Sequence, residues 1–191
     1  MKTFHALPIL ILASGANLST AQTLTVTNAP RTFSIVAPAT WIQQAVKTGA
    51  SRVKFSSPPG TPYAECAVLV KEFSAARNYP QEYFDAQMKQ PTTIAEKTSL
   101  LSARYSNVSV TNLVFSSLSG FPGQSYNVSF SVGSPAGEIW NRALFVESAT
   151  VPGVVWTVGC GGVGRTPQEA DKAYFYWQNE ISRFSTNIRI H

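Results

Sequence analysis

Tyr126-Asn127-Val128-Ser129-Phe130-Ser131-Val132 sets an apolar side chain at every second position. Successive side chains of a strand point to opposite faces, so this stretch reads as a strand with one buried face. Ser119-Gly120-Phe121-Pro122-Gly123 precedes it and Gly133-Ser134-Pro135-Ala136-Gly137 follows it, and both have the composition of turns. Upstream, Val108, Val110 and Leu113-Val114-Phe115 continue the β pattern. Downstream, Ile139 to Glu147 and Val154 to Val158 form the next hairpin, linked through Val151-Pro152-Gly153. Strands joined by such short turns pair antiparallel.

The N-terminal part adds more strands. Leu24-Thr25-Val26-Thr27, Phe33-Ser34-Ile35-Val36 and Val53-Lys54-Phe55 alternate apolar and polar residues. Pro38 turns the chain, and Trp41-Ile42 is expected to return it to the core. Ser57 to Pro62, with three prolines and a glycine, is a loop, and Ala64 to Phe73 is a long central strand. Pro80 to Gln90 reads as a short helix, with Glu82 and Asp85 near its positive end. A second helix is expected around Ile94 to Leu101. At Thr166-Pro167-Gln168-Glu169 stands a capping box with proline at the first helical position. Ala170, Ala173, Tyr174, Trp177, Ile181 and Phe184 then form one apolar stripe on a helix of about five turns. Ile188-Arg189-Ile190 adds a short terminal strand. Early and late strands, with helices between and after them, give an α+β fold: an antiparallel β-sheet flanked by helices.

Lys2, a short apolar run from Ala6 to Ala13, and small residues at Ser19 and Ala21 make residues 1–21 a cleavable signal peptide, cut before Gln22. The run is shorter than the roughly 20 residues that span a bilayer, and no later segment is long and apolar enough, so stable membrane insertion is not expected. The remaining residues, 22–191, form a single domain. The chain has 15 basic and 10 acidic residues; without Lys2 the balance is 14 − 10 = +4. The basic residues are scattered singly, Arg52 and Lys54 being the closest pair, which reads as a solvated surface and not as a nucleic-acid interface. Two cysteines in an exported chain point to a Cys66–Cys160 disulfide, with two buried free thiols as the alternative.

Gly159-Cys160-Gly161-Gly162-Val163-Gly164 matches G-x-G-x-x-G between a strand and a helix. Backbone N–H groups of Gly159, Gly161, Gly162 and Gly164, with Arg165, could hold an anion at the helix start. A dinucleotide is not expected: no second βαβ half can follow so late in the chain, and the ribose-binding acid is missing, since Glu180 lies inside the helix. The expected reading of these residues is a flexible strand-to-helix turn. Histidine is confined to His5, in the leader, and His191, the last residue, so a Ser-His-Asp site would need a frayed terminus and a zinc site lacks ligands. A glycosidase needs only two carboxylates; Glu65, Glu72, Glu82, Asp85, Glu96, Glu138 and Glu147 are the candidates, and spacing does not show whether any two converge. Trp41, Trp140, Trp156 and Trp177 are read as core and not as a ligand pocket. Asn107-Val108-Ser109 and Asn127-Val128-Ser129 fit the glycosylation pattern within expected strands.

The order of elements resembles that of the PsbP-like superfamily (the PsbP/Mog fold), which includes many exported bacterial proteins. The resemblance rests on Phe33-Ser34-Ile35-Val36-Ala37-Pro38-Ala39-Thr40-Trp41, on Leu118-Ser119-Gly120-Phe121-Pro122-Gly123, and on a long last helix ending Ile181-Ser182-Arg183-Phe184-Ser185. Where the family often has glycine before the tryptophan, this chain has Thr40. The resemblance implies a three-layer α-β-α sandwich and a non-catalytic accessory or binding role; the leader makes the expected compartment periplasmic or secreted, and no cofactor is expected. It carries over no catalytic residue. An unknown protein partner is expected, with a small apolar ligand or a carboxylate-based hydrolysis as the alternatives.

Overall fold

The computed structural model describes residues 22–26, 32–46 and 51–191. The leader expected over 1–21, and Thr27 at the end of the first expected strand, lie outside them. The strands are β1 (Gln22–Val26), β2 (Phe33–Ala37), β3 (Ile42–Gln44), β4 (Ser51–Ser56), β5 (Ala64–Glu72), β6 (Ser106–Leu118), β7 (Phe121–Ser134), β8 (Gly137–Val151), β9 (Val154–Gly164) and β10 (Ile188–Ile190). The helices are α1 (Gln81–Lys89), α2 (Ile94–Ser102), α3 (Pro167–Tyr176) and α4 (Gln178–Thr186).

Seven strands form one antiparallel sheet in the order β3-β4-β5-β9-β8-β7-β6, and β1-β2-β10 form a second, small antiparallel sheet. The period of two divides the large sheet into two faces. Ala64, Cys66, Val68 and Val70 of β5 and Val154, Trp156, Val158 and Cys160 of β9 share one face. They are buried against Phe33 and Ile35 of the small sheet and against Trp177, Ile181 and Phe184 of the last helices. Edge-on ring pairs, Phe33 with Trp156 and Phe55 with Phe184, fix this packing. The opposite face carries a smaller cluster of Val110, Tyr126, Val128, Phe130 and Ala143, with Leu101 and Tyr105 packed against it. There α2 lies against β6, and α1 against β7 and β8. The result is an α+β fold with helices on both faces of the sheet.

Four details depart from the sequence reading. The turn over 119–123 shrinks to Ser119 and Gly120, both at positive φ (54° and 86°), and Phe121 already belongs to β7. Those are the dihedrals of a two-residue hairpin turn, whose twist matches that of its strands. Ile42 points to solvent, so only Trp41 re-enters the core. The single long helix is broken at Trp177 (φ −103°, ψ 11°). Its indole N–H donates to the Pro62 carbonyl at 2.8 Å, and its ring stands edge-on to Trp41. That anchoring holds the residue off helical geometry while the apolar stripe stays buried on both sides of the break. Finally, β9 does not stop at Val158 but runs to Gly164.

Candidate functional site

The glycines of 159–164 therefore lie in a strand, not a turn. Gly159, Gly161 and Gly162 pair with β5 on one side and β8 on the other, and Gly164 pairs with Trp140 of β8. A β-carbon on Gly162 would stand 2.2 Å from the Tyr174 nitrogen and 2.3 Å from the Ala170 carbonyl oxygen; one on Gly164 would stand 2.4 Å from the Glu169 β-carbon. Glycine is used here because α3 lies directly on the strand. At the start of α3 the Thr166 hydroxyl accepts from the Glu169 N–H, and the Glu169 carboxylate accepts from the Arg165 N–H. The open cleft beside Gly164 and Arg165 is also lined by Glu138 and Glu169. A carboxylate thus already stands where the sequence reading places an anion.

Cys66 and Cys160 are bonded. They face each other directly in the β5–β9 ladder, with Cα atoms 4.1 Å apart. Such closeness marks a pair that exchanges no backbone hydrogen bonds.

Six of the seven candidate carboxylates, all but Glu82, meet a hydrogen-bond donor or a cation. Glu65 accepts from Lys54 and from the Tyr63 hydroxyl. Glu72 pairs with Arg52 and Arg77. Glu138 meets the Asn107 amide, Asp85 accepts from Gln81, and Glu96 closes a capping box with Thr93 at the start of α2. The exposed Glu96 carboxylate is held below its usual range by the Thr93 backbone N–H, then by the Thr93 hydroxyl. Among the described residues no group of three or more His, Cys, Asp or Glu is placed to hold a metal. His191 Nε2 lies 3.2 Å from the Ser34 hydroxyl, at an exposed position. Trp41, Trp156 and Trp177 are buried, and Trp140 is half-buried. Of the two glycosylation-pattern residues, Asn107 is exposed, while Asn127 Oδ1 accepts from the Tyr174 hydroxyl.

The layer of α1 and α2 has a different character. α1 buries no side chain fully, and α2 buries one, Lys97, at 7% exposure. The Lys97 ammonium donates to Glu147 Oε2 at 2.8 Å and stands 4.8 Å from the centre of the Tyr126 ring. The Tyr126 hydroxyl donates to Glu147 Oε1 at 2.8 Å. Burial, then the Glu147 charge, pushes the Tyr126 hydroxyl far above the usual tyrosine range. The layer is thus pinned to the sheet by a polar triad, with Leu101 packed beside it, while several of its large apolar residues turn outward. Tyr79 (51% exposed) stacks on Tyr83 (45%) with centroids 4.9 Å apart, and Phe84 stands edge-on to both. Ile94 and Leu100 of α2 are exposed as well. The sequence signal for this shelf was the pairing of Tyr79 with Tyr83 across the helix start, which a search for a buried stripe passes over.

No protein-family model matches the sequence, and no curated protein does. The fold is similar to that of LpqN from Mycobacterium tuberculosis, which is involved in cell envelope biogenesis: 11% identity, TM-score 0.52, over 88% of this chain and 90% of that one. It is similar also to cyanobacterial PsbP (CyanoP) from Synechocystis: 11% identity, TM-score 0.50, over 94% of this chain and 99% of that one. At such identities the shared property is the fold.

Proposed function

We propose that this chain, an α+β domain of PsbP-like fold, is an exported accessory domain that docks on a protein partner through the outer surface of α1 and the segment before it. The observation that carries this reading is the Tyr79–Tyr83–Phe84 shelf. A helix layer that buries one lysine and leaves stacked aromatic rings in water gains little from its own packing. Aromatic rings free of charge are the usual centre of a protein interface, ringed by polar groups. Lys71, over the Phe73 ring, Arg77, paired with Glu72, and Glu82 and Asp85 of α1 supply a polar rim of mixed charge around the shelf. The disulfide and the leader-like start of the sequence support export.

The test is photo-crosslinking from position 87, one exposed helical turn beyond Tyr83, in the native compartment, with the crosslinker in both the otherwise unaltered chain and the Tyr79→Ser/Tyr83→Ser variant. Surface substitutions of this kind change stability by only about 0.5 kcal/mol. The expected result is one protein crosslinked to the chain that keeps Tyr79 and Tyr83 and lost with the double variant, at unchanged melting temperature. An equal yield from the double variant sinks the proposal.

A further inference from the structure

β6 closes the seven-stranded sheet and, among the described residues, pairs with β7 alone. Its first half is blunted as an edge. The register shifts between Ser106 and Ser109 and again between Thr111 and Val114, and Asn107 and Asn112 both sit at φ 53°. Bulges of this kind twist an edge away from would-be partners. From Val114 to Leu118 the pairing is regular, and Val114-Phe115-Ser116-Ser117-Leu118 carries no charge and no proline. Those are the devices with which edges refuse another strand. Val114 (55%) and Phe115 (58%) are both exposed.

The hairpin decides which backbone groups face outward. Leu118 and Phe121 flank the two-residue turn and are paired. A pair in that position exchanges hydrogen bonds, and bonded pairs alternate along an antiparallel ladder. Leu118, Ser116 and Val114 therefore aim their N–H and C=O groups at β7, and Phe115 and Ser117 aim theirs away from it. Pro122, which has no N–H, stands opposite Ser117, where none is needed. Two small pockets adjoin Phe115. One, of about 180 Å³, is shared with Pro91, Leu113 and Gln124; the other, of about 260 Å³, with Met88, Lys89 and Pro122. Lys89 is the single charged residue lining either.

We propose that this edge receives an extended segment of a partner protein as an eighth strand, bonded to the backbone of Phe115 and Ser117. Alternate apolar side chains of the segment, about 7 Å apart as on any strand, enter the two pockets, and an acidic residue meets Lys89. Backbone pairing supplies affinity and the pockets supply selectivity. A second copy of this chain fits less well, because its β6 contains no acidic residue to set against Lys89. The inference rests on the reading of the chain as a docking domain, at a place apart from Tyr79 and Tyr83.

The experiment pans the folded full-length mature chain against a phage-displayed library of random dodecapeptides and maps the enriched peptides by amide chemical shifts. The expected peptides alternate apolar and polar residues with an acid at a fixed place, and shift the amides of 113–118. Ser117→Pro removes an outward N–H without touching the β6–β7 ladder; Phe115→Lys leaves every backbone group in place and adds a charge. Each is expected to weaken peptide binding about tenfold or more, as loss of a hydrogen bond or burial of an unpaired charge would, while Tyr79→Ser/Tyr83→Ser binds as wild type. Lack of enrichment, shifts elsewhere, undiminished binding by Phe115→Lys, or a chain that dimerises through β6 instead would each overturn the inference. If peptide binding is lost in Tyr79→Ser/Tyr83→Ser alone, the edge is refuted and the docking reading survives.

Discussion

The backbone nitrogen of Tyr174 lies 2.2 Å from where a β-carbon on Gly162 would be. Helix α3 is seated on β9 at this point, and all three atoms that a methyl group would strike, the Tyr174 nitrogen, the Ala170 carbonyl oxygen and the Ala173 carbonyl carbon, belong to backbone. Gly162→Ala is expected to lift the helix and cost about 3 kcal/mol, the upper end for overpacking a core. Gly159→Ala meets only the half-buried Phe145 ring, which can turn aside, and is expected to cost less. Denaturant unfolding of the two variants gives the order; equal midpoints would contradict it.

The Lys97–Glu147–Tyr126 triad supports a second prediction. Glu147→Gln leaves a nearly buried ammonium without its counter-charge, a change that costs about 3 kcal/mol when a buried pair is broken. Lys97→Met removes the charge and leaves Glu147 its bond from Tyr126 and partial access to water, so it is expected to cost about 1 kcal/mol. The double variant should lose well under the sum of the two, since no ammonium is then left unpaired. Additive losses in equilibrium unfolding would show that the pair is not coupled.

What the sequence made legible follows from how local each signal is. The alternation of 126–132, the stripe from Ala170 to Phe184 and the Thr166 cap depend on neighbours in the chain, and each element lies where the pattern puts it. The break at Trp177 depends on Pro62, more than a hundred residues away, and periodicity cannot see it. The run of glycines misled for the same reason. Glycine is poor in strands unless another backbone approaches closely, and the approaching backbone is α3. The capping box of α2 stands in the sequence as Thr93 and Glu96, but the apolar residues of α2 form no clean stripe that would point to its start. Lys97 was invisible as a pinned side chain, because nothing near it in sequence names Glu147 as its partner.

The Cys66–Cys160 bond joins strands that the ladder already holds side by side, across 94 residues. Its contribution therefore comes chiefly from restricting the unfolded chain, and for a loop of this length that amounts to about 4.6 kcal/mol in the chain-entropy treatment. Cys66→Ala/Cys160→Ala is expected to keep the fold and lose roughly that much stability by denaturant titration. Both sulfur atoms are buried between the strands and the last helix, so some of the loss will come from packing. A loss below about 1 kcal/mol would mean that the reduced chain retains the β5–β9 pairing when unfolded.

The last prediction concerns alkaline pH. The Tyr126 hydroxyl is raised by burial and by Glu147. Tyr63 is raised by burial and by its bond to Glu65, and Tyr174 by burial, with the Arg142 charge opposing. In the unfolded chain a tyrosine releases its proton near about pH 10. Since the folded values lie above the unfolded one, the stability linked to these protons is whole below about pH 10 and is lost as pH rises beyond it, where the unfolded chain binds fewer protons. Tyr126→Phe removes one of the groups responsible. It should cost about 1 kcal/mol at neutral pH, through the lost bond to Glu147. Its decline above pH 10 should also be shallower, so that the gap from wild type narrows as pH climbs. Denaturant titrations across the alkaline range, read beside phenolate absorbance, measure both. Parallel declines for the two proteins would show that Tyr126 ionises as freely in the folded chain as in the unfolded one, and would contradict its burial beneath α2.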